Sequence, residues 1–291
     1  MLVGDGAKGL SPGALSRLKA PWREASRHWA SRALADRRDA DGWVDGIHTT
    51  LRESDDPRLC LRVIIGVRAD DTTAWVAISD GRRESTPSWL DVRRDVKARG
   101  LSVGPRVAVS DGALGFWGAL EQVDPETVHQ RCWFHTMGNV LAALPKSLPG
   151  KAKADLQAIW MAETREAAIR AFHRGVARDR AKDPKATETL VQDRDALLAL
   201  DDCPAEHGVH LRTTHPIEST FATVRHRTTR TKNGVSRGTF LDLAFKLAED
   251  AAKSWRRIRA PEKVAQLLEG TRYSDGMPVT EDPPEEQREA A

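Results

Sequence analysis

The apolar positions of this chain change period several times, and each change marks an element boundary. Over residues 10–40 they recur at helical spacing through Leu15, Leu18, Trp22 and Ala25. Ser11-Pro12 ahead of them suits an N-cap and a first helical position. This helix is expected to run out in the charged stretch 36–41. From Gly42 the pattern becomes that of strands, at 43–47 (WVDGI), 59–67 (LCLRVIIGV) and 73–78 (TAWVAI), with short polar connections. Helical spacing returns over 88–98 through Trp89, Leu90, Val92 and Val96. A short apolar strand, 106–109 (RVAV), then leads into Ser110-Asp111-Gly112. A helix over 112–120 and a strand over 127–132 follow. Residues 134–205 carry helical pattern with no strand between, and helices around 216–227 and 239–258 close the chain.

Three strands joined by short connections make an antiparallel meander. Helix, strand, helix, strand after such a meander is the order of a ribonuclease-H-like domain: α/β, a mixed sheet flanked by helices. That domain is expected to take in 42–133 and 207–260, with 134–206 as an all-helical insertion. Residues 1–41 form a helical segment ahead of it. Residues 274–291 hold Asp275, Glu281, Asp282, Glu285, Glu286 and Glu289 against Arg288, with Pro283 and Pro284 and no apolar period. They read as a disordered acidic tail.

Composition narrows the setting. With 291 residues, 40% apolar and 30% charged, the chain has the balance of a globular protein with room for a substantial core. No apolar run approaches the roughly 18 residues of a membrane span, and the N-terminus lacks a signal-peptide pattern. Cys60, Cys132 and Cys203 are too few and too scattered for a disulfide framework, which points to a reducing cytoplasm. The net charge of +3 is small, but it is unevenly spread. Between residues 207 and 260 eleven Lys or Arg stand against four Asp or Glu. Such a segment suits a polyanion, though a solvated helical face has the same composition.

Three acids stand out by position. Asp45 interrupts an apolar strand, where a carboxylate is costly unless paired, hydrogen-bonded or bound to metal. Asp111 follows the strand at 106–109, where open α/β sheets place ligand groups. In the meander order the first and fourth strands are neighbours, which brings the two aspartates together. Paired carboxylates repel, and a divalent ion such as magnesium relieves this. Glu218 follows Pro216 at a helix start. Each has a plainer reading as well: a sheet hydrogen bond for Asp45, an Asp-Gly turn for Asp111, a helix-dipole partner for Glu218.

The words around these acids carry a resemblance. WVDGI (43–47), RESTPSWLDVRRDVKARGL (83–101), DGALGFWGAL (111–120), HQRCWFHTMGNVLAALPKS (129–147), KAKADLQAIWMAETR (151–165), THPIESTFATVRHRTTRTK (214–232) and WRRIR (255–259) closely resemble the mutator family of bacterial insertion-sequence transposases. The likeness runs from about residue 9 to 277 in the family's order. It implies a ribonuclease-H-like fold, a helical insertion, and an Asp-Asp-Glu triad of Asp45, Asp111 and Glu218 binding Mg2+ or Mn2+, two ions in all. It further implies metal-dependent cleavage and joining of DNA at insertion-sequence ends by a homo-oligomer on DNA, in the cytoplasm at the nucleoid. Cys132 and His135 match the family's Cys-x-x-His signature. A structural zinc wants four ligands, and Cys203 and His207 are candidates by residue type alone, so packing or a DNA-facing role is the expectation for the pair. Arg225, Arg227, Arg230 and Lys232 follow Glu218 and suit phosphate positioning, while Trp133 and Trp117 offer rings for base stacking or for the core.

The family's proteins carry a DNA-binding region ahead of the first catalytic strand, and here about forty residues precede Asp45. A second reading follows from that: a truncated product that binds DNA without autonomous transposition.

Overall fold

A computed structural model describes residues 12–51, 58–144, 149–179, 184–230 and 236–279, and the rest of this section concerns those residues. The sheet is built from β1 (Asp39–Thr50), β2 (Arg58–Arg68), β3 (Thr73–Gly81), β4 (Val107–Ser110) and β5 (Val128–Arg131). Their order across it is β3-β2-β1-β4-β5. β1, β2 and β3 pair antiparallel; β4 joins β1, and β5 joins β4, in parallel. The crossovers are α2 (Thr86–Ala98) and α3 (Leu114–Val123).

β2 shows why its sequence lacks clean alternation. Leu59, Leu61, Val63, Ile65 and Val67 face one core and Ile64 the other. A strand covered on both sides reads as a continuous apolar run. The first core is closed by α10 (His215–Arg230), α11 (Arg237–Ala252) and α12 (Pro261–Leu268), through Ile217, Phe221, Phe240, Ala244 and Val264. The second is closed by α2 and α3, through Trp89, Val96, Phe116 and Leu120. α1 (Pro12–Ala30) lies on α11, with Trp29 against Phe245 and Arg23 paired to Asp242 at 3.0 Å.

Between β5 and α10 the chain forms α4 (Trp133–Ala143), α5 (Pro149–Trp160), α6 (Arg165–Asp179), α7 (Pro184–Gln192), α8 (Arg194–Leu197), a 3-10 turn (Ala199–Asp202) and α9 (Ala205–Leu211). α4 to α8 bury their own apolar cluster, including Met137, Leu156, Phe172 and Leu190. β5 is tied to these helices by Arg131, which bonds Asp193 at 2.9 Å.

Three boundaries differ from expectation. The first helix stops at Ala30, and the charged stretch enters the sheet as the start of β1. Of its acids, Asp39 is held by Arg37 at 2.7 Å, while buried Asp41 lies 3.4 Å from buried His207 without a hydrogen bond. The helix expected over 239–258 ends at Ala252, beyond which Ile258 enters the core as an isolated side chain. The tail expected to be disordered from Ser274 begins instead with a hairpin of β6 (Tyr273–Ser274) and β7 (Met277–Pro278), where buried Tyr273 joins the first core. Residues 280–291 of that tail, like Ser11, lie outside the described residues.

Candidate active site

Side-chain parity decides what faces what. On β1, Trp43 and Ile47 belong to the core under α10, so Asp45 between them points to that same side. On β4, Val107 and Val109 belong to it too, so the next residue of that parity, Asp111, follows them. The parallel register pairs Trp43 with Val109, and the same offset carried two residues on sets Asp45 level with Asp111. β4 ends at Ser110, and the chain turns at Gly112 with φ 93°, a conformation glycine adopts without strain. A Cβ there would also collide with the Arg131 guanidinium. Asp111 accepts a hydrogen bond from the Ala113 N–H at 3.0 Å, which fixes the turn.

Electrostatics ties the acids together. Burial, then repulsion from Asp111 and Glu84, pushes the Asp45 carboxyl up to about 6. His135, on the first turn of α4, is raised to about 9 by its hydrogen bond to Cys132, and the charges of Cys132, Glu218 and Asp111 add to this. Its Nδ1 lies 3.5 Å from Glu218 Oε1. His135 therefore stands between the aspartate end of the sheet and Glu218 on α10.

Thr214 is the hub of this corner. It is fully buried just ahead of α10, and its hydroxyl donates to Glu218 Oε1 at 2.7 Å. Its backbone N–H donates to Cys132 Sγ at 3.4 Å, and its Oγ1 lies 3.4 Å from His135 Nδ1. Burial opposes ionisation of Cys132, yet hydrogen bonds from His135 and Thr214 bring its thiol below the usual range. Cys132, His135 and Glu218 place their donor atoms within 4.8 Å of one another. Cys203 and His207 do not join them: both sit in the core, where Asp41 faces His207 and pushes the Cys203 thiol further up.

Of the two readings for the tryptophans, base stacking or core, the structure gives Trp133 the core. Trp133 is 2% exposed, donates to the Leu197 carbonyl at 3.0 Å and meets Trp160 edge-on, so it has no face for a base. Trp117 stacks on His129, centroids 4.4 Å apart. Phe134, next to His135, presents the open ring and is 58% exposed. Arg225 lies two turns beyond Glu218 on α10; Lys232 and the side chains of Arg227 and Arg230 lie outside the described residues. Beside α10, a groove of about 890 Å3 is lined by His215, Ser219 and Thr223 and by Arg256, Arg257 and Arg259.

Sequence reasoning missed Thr214 and Phe134 as members of this region, and Glu84, whose charge acts on Asp45 from the other face of the sheet. Glu84 lies within the block RESTPSW, but nothing in its spacing announces an approach to β1.

Comparison with known proteins bears on this geometry. A family model for the Mutator family of transposases matches residues 3–257. The chain is 51% identical to the transposase for insertion sequence element IST2 of Acidithiobacillus ferrooxidans, over 100% of this chain and 98% of that protein. It is 47% identical to the transposase for IS6120 of Mycolicibacterium smegmatis, over 94% of this chain and 84% of that one. A more distant relative, the transposase for ISRM5 of Rhizobium meliloti, is 24% identical over 66% of this chain and 48% of its own length.

Proposed function

The chain belongs to the Mutator family of transposases, and from that premise we propose that it cleaves and joins DNA at the ends of an insertion sequence with a divalent-metal pocket formed by Asp45, Asp111 and Glu218. Three antiparallel strands followed by two parallel ones, with helices on both faces, support reading the fold as ribonuclease-H-like. The observation that carries the chemical reading is the electrostatic meeting of acids from three elements: Asp111 acts on Asp45, and His135 responds to both Asp111 and Glu218.

The donor set fits Mg2+ or Mn2+. It offers hard carboxylate oxygens, and Asp45, raised first by burial and then by Asp111 and Glu84, has a charge that a cation would favour. A pair of such ions held by Asp45, Asp111 and Glu218 would supply activation of an attacking oxygen and stabilisation of a leaving one. Asp45, on β1, and Asp111, in the turn just past β4, provide the fixed edge of the site. Glu218 arrives from α10 with one oxygen held by Thr214. His135, raised and 3.5 Å from Glu218, offers positive charge to an approaching phosphate. In the first reaction a P–O bond is hydrolysed, leaving a 3′-hydroxyl; in the second that hydroxyl attacks a target phosphodiester and the displaced 3′-oxygen leaves with the proton. Phe134 offers a stacking surface for a base unpaired near the cut.

Asp111→Asn keeps volume and removes a charge. It is expected to abolish Mg2+- or Mn2+-dependent nicking of element-end DNA while circular dichroism and duplex binding persist. Cleavage by the variant at the parental rate would make Asp111 a turn residue and end this reading.

A further inference from the structure

On the opposite face of the sheet from the Asp45 side lies a second group of donor atoms. His48 and Cys60 are direct cross-strand partners of β1 and β2. Both have the parity of Val44 and Ile64, which face α2 and α3. Glu84, in the turn before α2, reaches over β1 to meet them. Its Oε2 lies 3.2 Å from His48 Nε2, and its Oε1 accepts from the Trp89 indole at 3.2 Å. One nitrogen, one sulfur and one oxygen thus lie within 4.8 Å of one another. Gly46 makes this possible, because a Cβ there would overlap the Glu84 carboxylate.

We propose that His48, Cys60 and Glu84 form a binding site for a borderline-soft divalent transition metal, Zn2+ or Co2+, with solvent as the fourth ligand. Each residue offers the atom type that zinc takes at about 2.0–2.3 Å, and ligands at such lengths lie roughly 3.3–3.8 Å apart around a tetrahedral ion. The His48–Glu84 separation is already close to that. Access is graded: Cys60 is buried, the Glu84 side chain is 15% exposed, and the His48 side chain is 59% exposed, so the site opens to solvent past the histidine. The thiol sulfur favours zinc or cobalt over the magnesium that an all-carboxylate pocket prefers.

The two cysteine clusters differ in availability. Cys132 Sγ is engaged by Thr214 and His135, whereas among the described residues Cys60 makes no such bond. Its thiol is pushed up to about 12 by burial and by the charges of Glu84 and Asp45, against that of Arg62, so an ion must displace its proton. Binding at Cys60 releases its thiol proton to solvent. The thiolate and the Glu84 carboxylate then balance the two positive charges of the ion. Arg62, the nearby cation, is held away by the carbonyls of Ser88 and Asp80. An ion here would clamp the approach to α2 onto β1 at His48, three residues from Asp45, without being part of the cleavage pocket.

The test uses the full chain stripped by chelator and titrated with Co2+ alone, read by its visible and near-ultraviolet spectrum. One tetrahedral Co2+ with a thiolate charge-transfer band is expected. Cys132→Ser should keep that band and Cys60→Ser should lose it. His48→Ala, at an exposed position that leaves the fold intact, should weaken Co2+ binding by at least the roughly tenfold that even an outer-shell partner is worth. A large excess of Mg2+ should leave the band in place. Absence of the band in the parent chain, its survival in Cys60→Ser, or its loss in Cys132→Ser would overturn the assignment. So would undiminished Co2+ affinity in a folded His48→Ala chain. None of these readouts depends on DNA cleavage, so the proposed transposase chemistry and this site stand or fall separately.

Discussion

Thr214 carries no titratable group, yet its hydroxyl and backbone N–H join Cys132, His135 and Glu218 in one corner. A hydrogen bond to a charged group contributes about 1.5–3 kcal/mol. Thr214→Val is therefore expected to slow single-turnover cleavage by about tenfold or more while DNA affinity stays near the parental value; Thr214→Ser should recover most of the rate. Equal rates for Thr214→Val and the parent would show that the hydroxyl merely fills space. A different residue governs pH behaviour away from the site. Asp201 is pushed up to about 6 by burial and by Asp275 and Asp202, against an opposing pull from Arg165. Its folded-state value lies above the unfolded one, so its favourable contribution is complete below about 4 and is lost as pH rises through about 6. Asp201→Asn should thus raise the Tm at pH 8 and leave it nearly unchanged at pH 4. After discounting for partial exposure the gain is about 1 kcal/mol, roughly 2–4 °C. Thermal unfolding at the two pH values decides it, and an equal shift at both would rule out the titration as the cause.

Among the helices, α10 carries the most roles at once. Ile217, Phe221 and Val224 bury one stripe under the sheet, Glu218 sits on a flank, and His215, Ser219 and Thr223 line the groove shared with the segment after α11. That segment supplies Arg256, Arg257 and Arg259; Arg257 is already paired with Asp71 at 3.0 Å, leaving the other two as the better phosphate contacts. Replacing Arg256 and Arg259 together by Ala should weaken binding to any duplex and make its logarithmic dependence on salt shallower by up to about 2. Binding measured at several salt concentrations on element-end and scrambled duplexes is the check. A loss confined to element-end DNA would instead assign these arginines to sequence recognition.

For the molecule as a whole, the parallel half of the sheet depends on a buried ionic joint. Arg93 of α2 and Asp124 after α3 are each 3% exposed at the side chain, 2.5 Å apart, and Lys97 adds a second contact to Asp124 at 3.1 Å. The pair locks together the two crossover helices that bring β4 and β5 alongside β1. Removing one partner strands a buried charge, so Asp124→Ala should cost about 3–5 kcal/mol. An Arg93→Met, Asp124→Leu double variant should regain much of that loss. Denaturant unfolding measures both; a double variant no better than the single one would show that the charges themselves, rather than the filled volume, hold the joint.

The sequence by itself determined whatever depends on local period and short-range turn chemistry. The five strands, the two crossover helices and the helical stretch before Glu218 were legible because alternation and helical spacing are set by neighbouring residues. Strand order and parity suggested that Asp45 and Asp111 meet across 66 positions, a pairing of β1 with β4 that the fold supplies. The tertiary structure alone decided which distant surfaces meet. Thr214 touches Cys132 across 82 positions, and Glu84 crosses β1 to His48 over 36. No periodicity encodes either contact, since each is fixed by how whole layers pack. The same holds elsewhere. Trp133 is covered by helices far along the chain, and the charged start of β1 enters the sheet where Arg37 holds Asp39 and buried His207 faces Asp41. A carboxylate's place in a fold is set by its partner, and the partner is known only once the chain has closed on itself.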